Sequence, residues 1–116
     1  MSRDVITFLE DILTAIDDLT TFTAALDFED FKQDRKTVYA VTRALEIMGE
    51  ATKNIPDNVR QAYPQTPWKQ IAGMRDKLIH SYFSVNVITL WKAAHQDAPQ
   101  LREIIAKIKD ELEGKP

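Results

Sequence analysis

The first 26 residues carry apolar side chains at Val5, Leu9, Ile12, Ile16, Leu19, Phe22 and Leu26, spaced three and four apart. That spacing keeps one face of a helix apolar and predicts a single long helix buried along it. Ile6, Phe8 and Leu13 widen the stripe, so the helix is expected to touch more than one neighbour. Ser2 suits its N-cap, and Asp4 suits the positive end of its dipole. Asp27 suits the cap of a second helix, with a stripe of Phe31, Val38, Val41, Leu45, Met48, Ala51 and Ile55. Pro56 disfavours helical geometry at Ile55 and predicts a stop near Asn54.

A broken region follows. Pro56 to Arg60 reads as one short helical turn with proline at its start, and Pro64-Gln65-Thr66-Pro67 as a loop. Thr66-Pro67 then offers a cap and first position for Trp68 to Ala72. Gly73 is expected to interrupt this helix before it resumes from Met74 to Phe83. Asn86 suits the cap of a helix carrying Ile88, Leu90, Trp91 and Ala94; Asp97-Ala98-Pro99 reads as a kink or restart. Leu101, Ile104, Ile105, Ile108 and Leu112 form the last stripe, which ends at Gly114. No strand-like alternation, internal repeat or low-complexity stretch is present. The expectation is one all-α domain over residues 1–116, an up-and-down four-helix bundle with short extra helices. Two-sided stripes leave apolar surface over, which suggests a homodimer.

Composition narrows the chemistry. The 116 residues include no Cys, which removes disulfides, thiolate–metal sites and thiol nucleophiles. No apolar run approaches the ~18–20 residues of a membrane span, and the acidic start lacks the pattern of a signal peptide. A soluble, cytoplasmic protein without membrane contact is therefore expected. The net charge of −3 argues against indiscriminate nucleic-acid binding. Yet residues 1–34 hold two bases against nine acids, whereas residues 35–116 hold thirteen bases against nine acids. A basic working surface on an acidic scaffold fits this division, and so do solvated helix faces that merely differ in sign.

His95, between Ala94 and Gln96, reads as an ordinary solvent-facing residue. Glu46 and Glu50 are four apart and share a helix face, but no Glu-x-x-His occurs, so a di-metal bundle site is not expected. Gly49 lies mid-helix at a cost of about 1 kcal/mol relative to Ala, which points to close helix contact.

The segment Met74-Arg75-Asp76-Lys77-Leu78-Ile79-His80-Ser81-Tyr82-Phe83 concentrates varied polar chemistry in one short helix. Asp76 and His80 are i,i+4 neighbours, so the carboxylate is placed to orient the imidazole and raise its basicity. A surface helix with such a link and a stray histidine would look the same. Arg75 and His80 lie about 140° apart around a regular helix and roughly 7.5 Å apart along it. A long arginine reach, a break in the helix or a second copy is needed to bring them onto one small target. Together they suit RNA phosphodiester cleavage. His80 would move the proton of a 2′-hydroxyl or of a leaving 5′-oxygen. Arg75 would hold the non-bridging oxygens.

Arg75 to Tyr82 fits the R-x4-H-x-Y pattern and resembles HEPN-domain proteins, in particular HepT-type toxins. The resemblance extends over essentially the whole chain. It includes Arg43 to Ala51, similar to that group's second-helix segment, and Pro67 to Arg75, similar to its approach to the motif. It implies a HEPN-like helical dimer acting as a metal-independent endoribonuclease without a cofactor, in a type VII-like toxin–antitoxin pair. The implied partner is a minimal-nucleotidyltransferase (MNT) antitoxin that neutralises the toxin by AMP transfer to the motif tyrosine. On this chain Arg75 and His80 would be catalytic, Asp76 supporting and Tyr82 the AMP acceptor. Lys69 and Lys77 would help Arg75 grip an RNA substrate such as tRNA. The competing reading is a non-catalytic helical subunit that binds or regulates a nucleotidyltransferase.

Overall fold

A computed structural model describes the backbone of residues 3–80 and 86–114, with side chains for residues 5–75 and 86–114. These residues form α1 (Arg3–Thr23), α2 (Phe28–Gln33), α3 (Arg35–Lys53), α4 (Asp57–Ala62), α5 (Trp68–His80), α6 (Val87–Lys92) and α7 (Ala98–Leu112). A π-turn, Ala93–Asp97, joins the last two without a gap. Among the described residues there is no strand. The chain is an all-α bundle. Its main helices are α1, α3, α5 and the α6–α7 rod, with α1 packed on α3 and α7, and α3 packed on α5.

The predicted stripes supply the core. Val5, Leu9, Ile12, Ile16 and Leu19 of α1 are buried against Val41, Leu45 and Met48 of α3 and Leu101, Ile105 and Ile108 of α7. Phe22 departs from the expected stripe and lies 37% exposed. Thr23 turns inward in its place at 3% exposure, and its hydroxyl donates to the Leu19 carbonyl at 2.8 Å. That bond satisfies the one polar atom the substitution buries.

Three boundaries differ from the sequence expectation. α1 stops at Thr23, three residues before Leu26. The second helix is split, because Asp34 ends α2 and caps α3. Its carboxylate accepts from the Thr37 backbone N–H at 3.1 Å and the Thr37 hydroxyl at 2.7 Å. A side chain able to satisfy the free amides of a new helix end makes the break cheap. Gly73, expected to interrupt the fifth helix, sits inside a continuous α5. Its helix propensity is poor, but Trp68, Ile71 and Ala72 are buried and hold the helix in place from one side. The other ends match. Asn54 closes α3, the Asn86 side chain accepts from the Ile88 and Thr89 amides, and Gly114 takes the positive φ of 75° that follows a helix end. Ser2 lies outside the described residues.

The α3–α5 connection is tied down at both ends. Arg60 of α4 donates to the carbonyls of Thr52, at 2.8 Å, and Ile55, at 3.0 Å, placing its charge at the C-terminal end of α3. The Trp68 indole N–H donates to the Tyr63 carbonyl at 3.0 Å, and the Tyr63 hydroxyl donates to Glu111 at 2.6 Å. The start of α5 is thus fixed to both its neighbours.

Two carboxylates make the fold acid-sensitive. Arg102 donates to Asp17 through Nε at 2.7 Å and Nη2 at 3.2 Å, linking α7 to α1, and holds the carboxyl below its usual range. The Thr37 hydroxyl and amide do the same for Asp34. A folded pKa below the unfolded value of about 3.9 adds stability that is present at neutral pH and lost as the pH falls through the folded value. Urea midpoints measured across the acid range are expected to drop below about pH 4. The Asp17→Asn, Asp34→Asn double variant should be less stable at pH 7 and show a shallower acid limb. An acid limb unchanged in the variant would count against this assignment.

Candidate active site

The candidate site is built where α5 crosses α3. Gly49, buried in α3, faces the backbone of α5. A Cβ added there would lie 2.7 Å from the Arg75 Cβ, 3.0 Å from the Arg75 amide nitrogen and 3.3 Å from the Ala72 carbonyl oxygen. The close approach expected at Gly49 is therefore an approach to the first residue of the R-x4-H motif. Only a residue without a side chain lets the two helices meet at this distance.

From that contact the Arg75 side chain extends to a position of partial burial, 33% exposed, where Nε stands 3.7 Å from a Glu50 carboxylate oxygen. Glu50 is 60% exposed, so the pair is solvated and contributes little to stability, on the order of 0–1 kcal/mol. Chemically it matters more: the guanidinium already faces an oxyanion, and a phosphate oxygen presents the same charge and acceptor geometry. Glu46, one turn earlier, accepts from Arg43 at 3.2 Å. The shared face expected for Glu46 and Glu50 is thus a line of arginine–carboxylate pairs along α3.

Asp76, Lys77 and His80 have their backbones on α5, and their side chains lie outside the described residues, as does the whole of Tyr82. α5 is an unbroken helix through His80, so no break in it brings Arg75 and His80 together. Five residues of regular helix set them about 140° apart. Lys69 is exposed near the start of α5, beside Arg60, Pro64 and Trp68. It precedes Arg75 by six residues, about 9 Å and 120° around the axis, so the fold does not bring the two together. His95 is exposed and stacked on Trp91, ring centroids 4.8 Å apart with planes 10° from parallel, far in sequence from the motif helix. Among the described residues no three His, Asp or Glu side chains converge as a metal site would require.

The role of Glu50 was not legible in advance, because the partner of an exposed glutamate depends on which helix lies beside it. Gly49 was the available signal, a glycine placed where helix propensity disfavours it.

Replacing Gly49 by Ala tests the crossing. An open helix site would gain about 1 kcal/mol from the exchange. Here the new methyl meets a backbone nitrogen and the root of a side chain, so α5 must move away, at a cost typical of overpacking, about 1–3 kcal/mol. Chemical denaturation is expected to show a net loss. A stabilised variant would mean that the helices separate freely.

Comparison with known proteins gives the family. The Ribonuclease HepT-like family profile matches residues 12–108. A Methanocaldococcus jannaschii protein named "Putative RNase" is 46% identical over 113 residues, covering 97% of this chain and 97% of its own. A second protein of that organism, also named "Putative RNase", is 45% identical over 113 residues, covering 97% of this chain and 93% of its own. The "Probable ribonuclease HepT" of Thermococcus cleftensis is 49% identical over 109 residues, covering 94% and 99% of the two chains. No solved structure matches. With its motif arginine seated at the α3–α5 crossing and the profile spanning most of its length, the chain belongs to the HepT-like ribonuclease family.

Proposed function

We propose that this protein is a metal-independent endoribonuclease acting as a homodimer, the toxin of a type VII-like toxin–antitoxin pair in the cytoplasm. The observation that carries the reading is the placement of Arg75. Its backbone is locked against Gly49, and its guanidinium is half-buried opposite an exchangeable carboxylate. Family membership and the R-x4-H-x-Y sequence support the rest.

In this reading His80 takes the proton of an RNA 2′-hydroxyl, and the freed oxygen attacks the adjacent phosphorus. The bond to the 5′-oxygen breaks, and that oxygen leaves with a proton returned from an imidazolium. Arg75 replaces its contact to Glu50 with the non-bridging oxygens and stabilises the charge that accumulates on them. Asp76, one turn before His80, orients the imidazole. Lys77 adds positive charge on the motif helix, and Lys69 serves RNA only away from the scissile phosphate. The regular helix between Arg75 and His80 favours a cleft between two copies, in which each copy supplies one of the two groups to a phosphate.

Control rests on Tyr82. It follows Arg75 by seven residues in the R-x4-H-x-Y sequence. AMP attached to its hydroxyl by an MNT-type nucleotidyltransferase partner would put a phosphate where Arg75 expects substrate.

Purified protein is expected to cleave RNA in EDTA. His80→Ala should lower the rate at least a hundredfold, the usual scale of a general acid–base contribution, with its light-scattering mass unchanged. A magnesium requirement, or full activity in the variant, rejects the mechanism; a stable complex with the neighbouring nucleotidyltransferase and no cleavage favours a regulatory subunit instead. Tyr82→Phe co-expressed with that partner should remain toxic, whereas its neutralisation would mean that the partner acts by binding alone.

A further inference from the structure

The outer face of α3 carries a feature that cleavage chemistry at Arg75 and His80 does not use. From Arg35 to Leu45 the helix holds three cations, Arg35, Lys36 and Arg43, and no acid, in a chain with 18 acids against 15 bases. Tyr39 stands at the centre of this run and is 63% exposed, so the core does not need its ring. Arg35 and Arg43 are each four residues away and share its face. The Arg35 guanidinium lies 5.7 Å from the Tyr39 ring centroid, and its Nη2 donates to the Tyr39 hydroxyl at 3.1 Å. The ring is thereby held in one orientation while most of its surface meets water.

This face leads to the candidate active site. Tyr39 precedes Gly49, the residue against Arg75, by ten positions, or about 15 Å along the axis; Arg43 is about 9 Å away. On a 100° helical wheel Arg35, Tyr39, Arg43, Glu46 and Glu50 lie within one narrow sector. Along it the order is cation, aromatic ring, cation, and then the two arginine–carboxylate pairs Arg43–Glu46 and Arg75–Glu50. Single-stranded nucleic acid is recognised by this combination of a stacking platform and a line of backbone cations. The exposed carboxylates occupy the arginines only until a phosphate replaces them.

We propose that the outer face of α3 is a single-stranded RNA track. A base stacks on Tyr39, the flanking phosphates pair with Arg35 and Arg43, and the strand runs on to Arg75 for cutting. The proposal rests on the endoribonuclease reading and adds to it where the uncut part of the substrate lies. It also gives an acidic protein a local way to hold a polyanion.

The test uses the full chain and a fluorescein-labelled dodecamer of 2′-O-methyl RNA, which lacks the attacking hydroxyl and is bound without being cut. Fluorescence anisotropy should show Tyr39→Ala weakening binding about tenfold, the scale of one lost base stack, while Tyr39→Phe stays within about twofold. Arg43→Ala should lower the slope of log affinity against log salt by about 0.7, the value for one phosphate on a single strand. Circular dichroism confirms that each variant is folded. The track is overturned if folded Tyr39→Ala binds as tightly as the parent. It is overturned equally if that substitution changes the light-scattering mass, since the face would then be a contact between copies. A parent that cleaves unmodified RNA in the presence of either result loses only the track. A parent that neither cleaves nor binds RNA loses the endoribonuclease reading and the track with it.

Discussion

The contact on which the arrangement depends is between two backbones. α3 and α5 meet at a glycine, and the atoms they bring together belong to Gly49, Ala72 and Arg75. Side-chain packing tolerates small errors because rotamers adjust, whereas a backbone-to-backbone approach does not. The motif arginine therefore leaves α5 from a point set by the whole helix pair. The buried Trp68, Ile71 and Ala72 hold the same helix further back, and Arg60 and Tyr63 fasten the connection that delivers it. Precision in an active site comes from such support more than from the reacting groups themselves.

The bundle was legible because its helices obey one rule. Where a three–four spacing of apolar residues ran on, as at Leu9, Ile12, Ile16 and Leu19, most of those residues are buried, although Ile104 of the last stripe is 40% exposed and Ile88 64%. The rule failed where local chemistry competed with it. At Thr23 a hydroxyl bonded back to its own helix makes burial acceptable, and Phe22 goes outward. At Asp34 a capping carboxylate cuts one predicted helix into two. Gly73 shows the reverse, a residue of low helix propensity overridden by the packing of its neighbours. Of the candidate site, the residue types were readable from the motif. Their mutual geometry was not, since sequence spacing fixes positions within one helix and says nothing of which residue on another helix stands opposite. Glu50 is the clear example.

Charge is arranged by the same economy. The acidic first third of the chain lends Asp17 to the α1–α7 contact and leaves the outer face of α3 to Arg35, Lys36 and Arg43. The exposed pairs on that face are weak as structural links. In the proposed RNA track that weakness suits them, because a phosphate there must displace a carboxylate.

The π-turn at Ala93–Asp97 takes up one residue of chain. Buried Leu90, Ala94 and Ala98 follow one another at intervals of four, a spacing that would drift around an ordinary helix but stays in line across a widened turn. Deleting one of these five residues would tighten the turn to an ordinary helix, in which the seven-residue step left between the outer two spans about 700°, close to two full turns. Leu101, Ile105 and Ile108 would go on facing α1, whereas a second deletion would turn them aside by about 100°. Homologous chains that keep this core have room to differ by one residue between α6 and α7, and not by two.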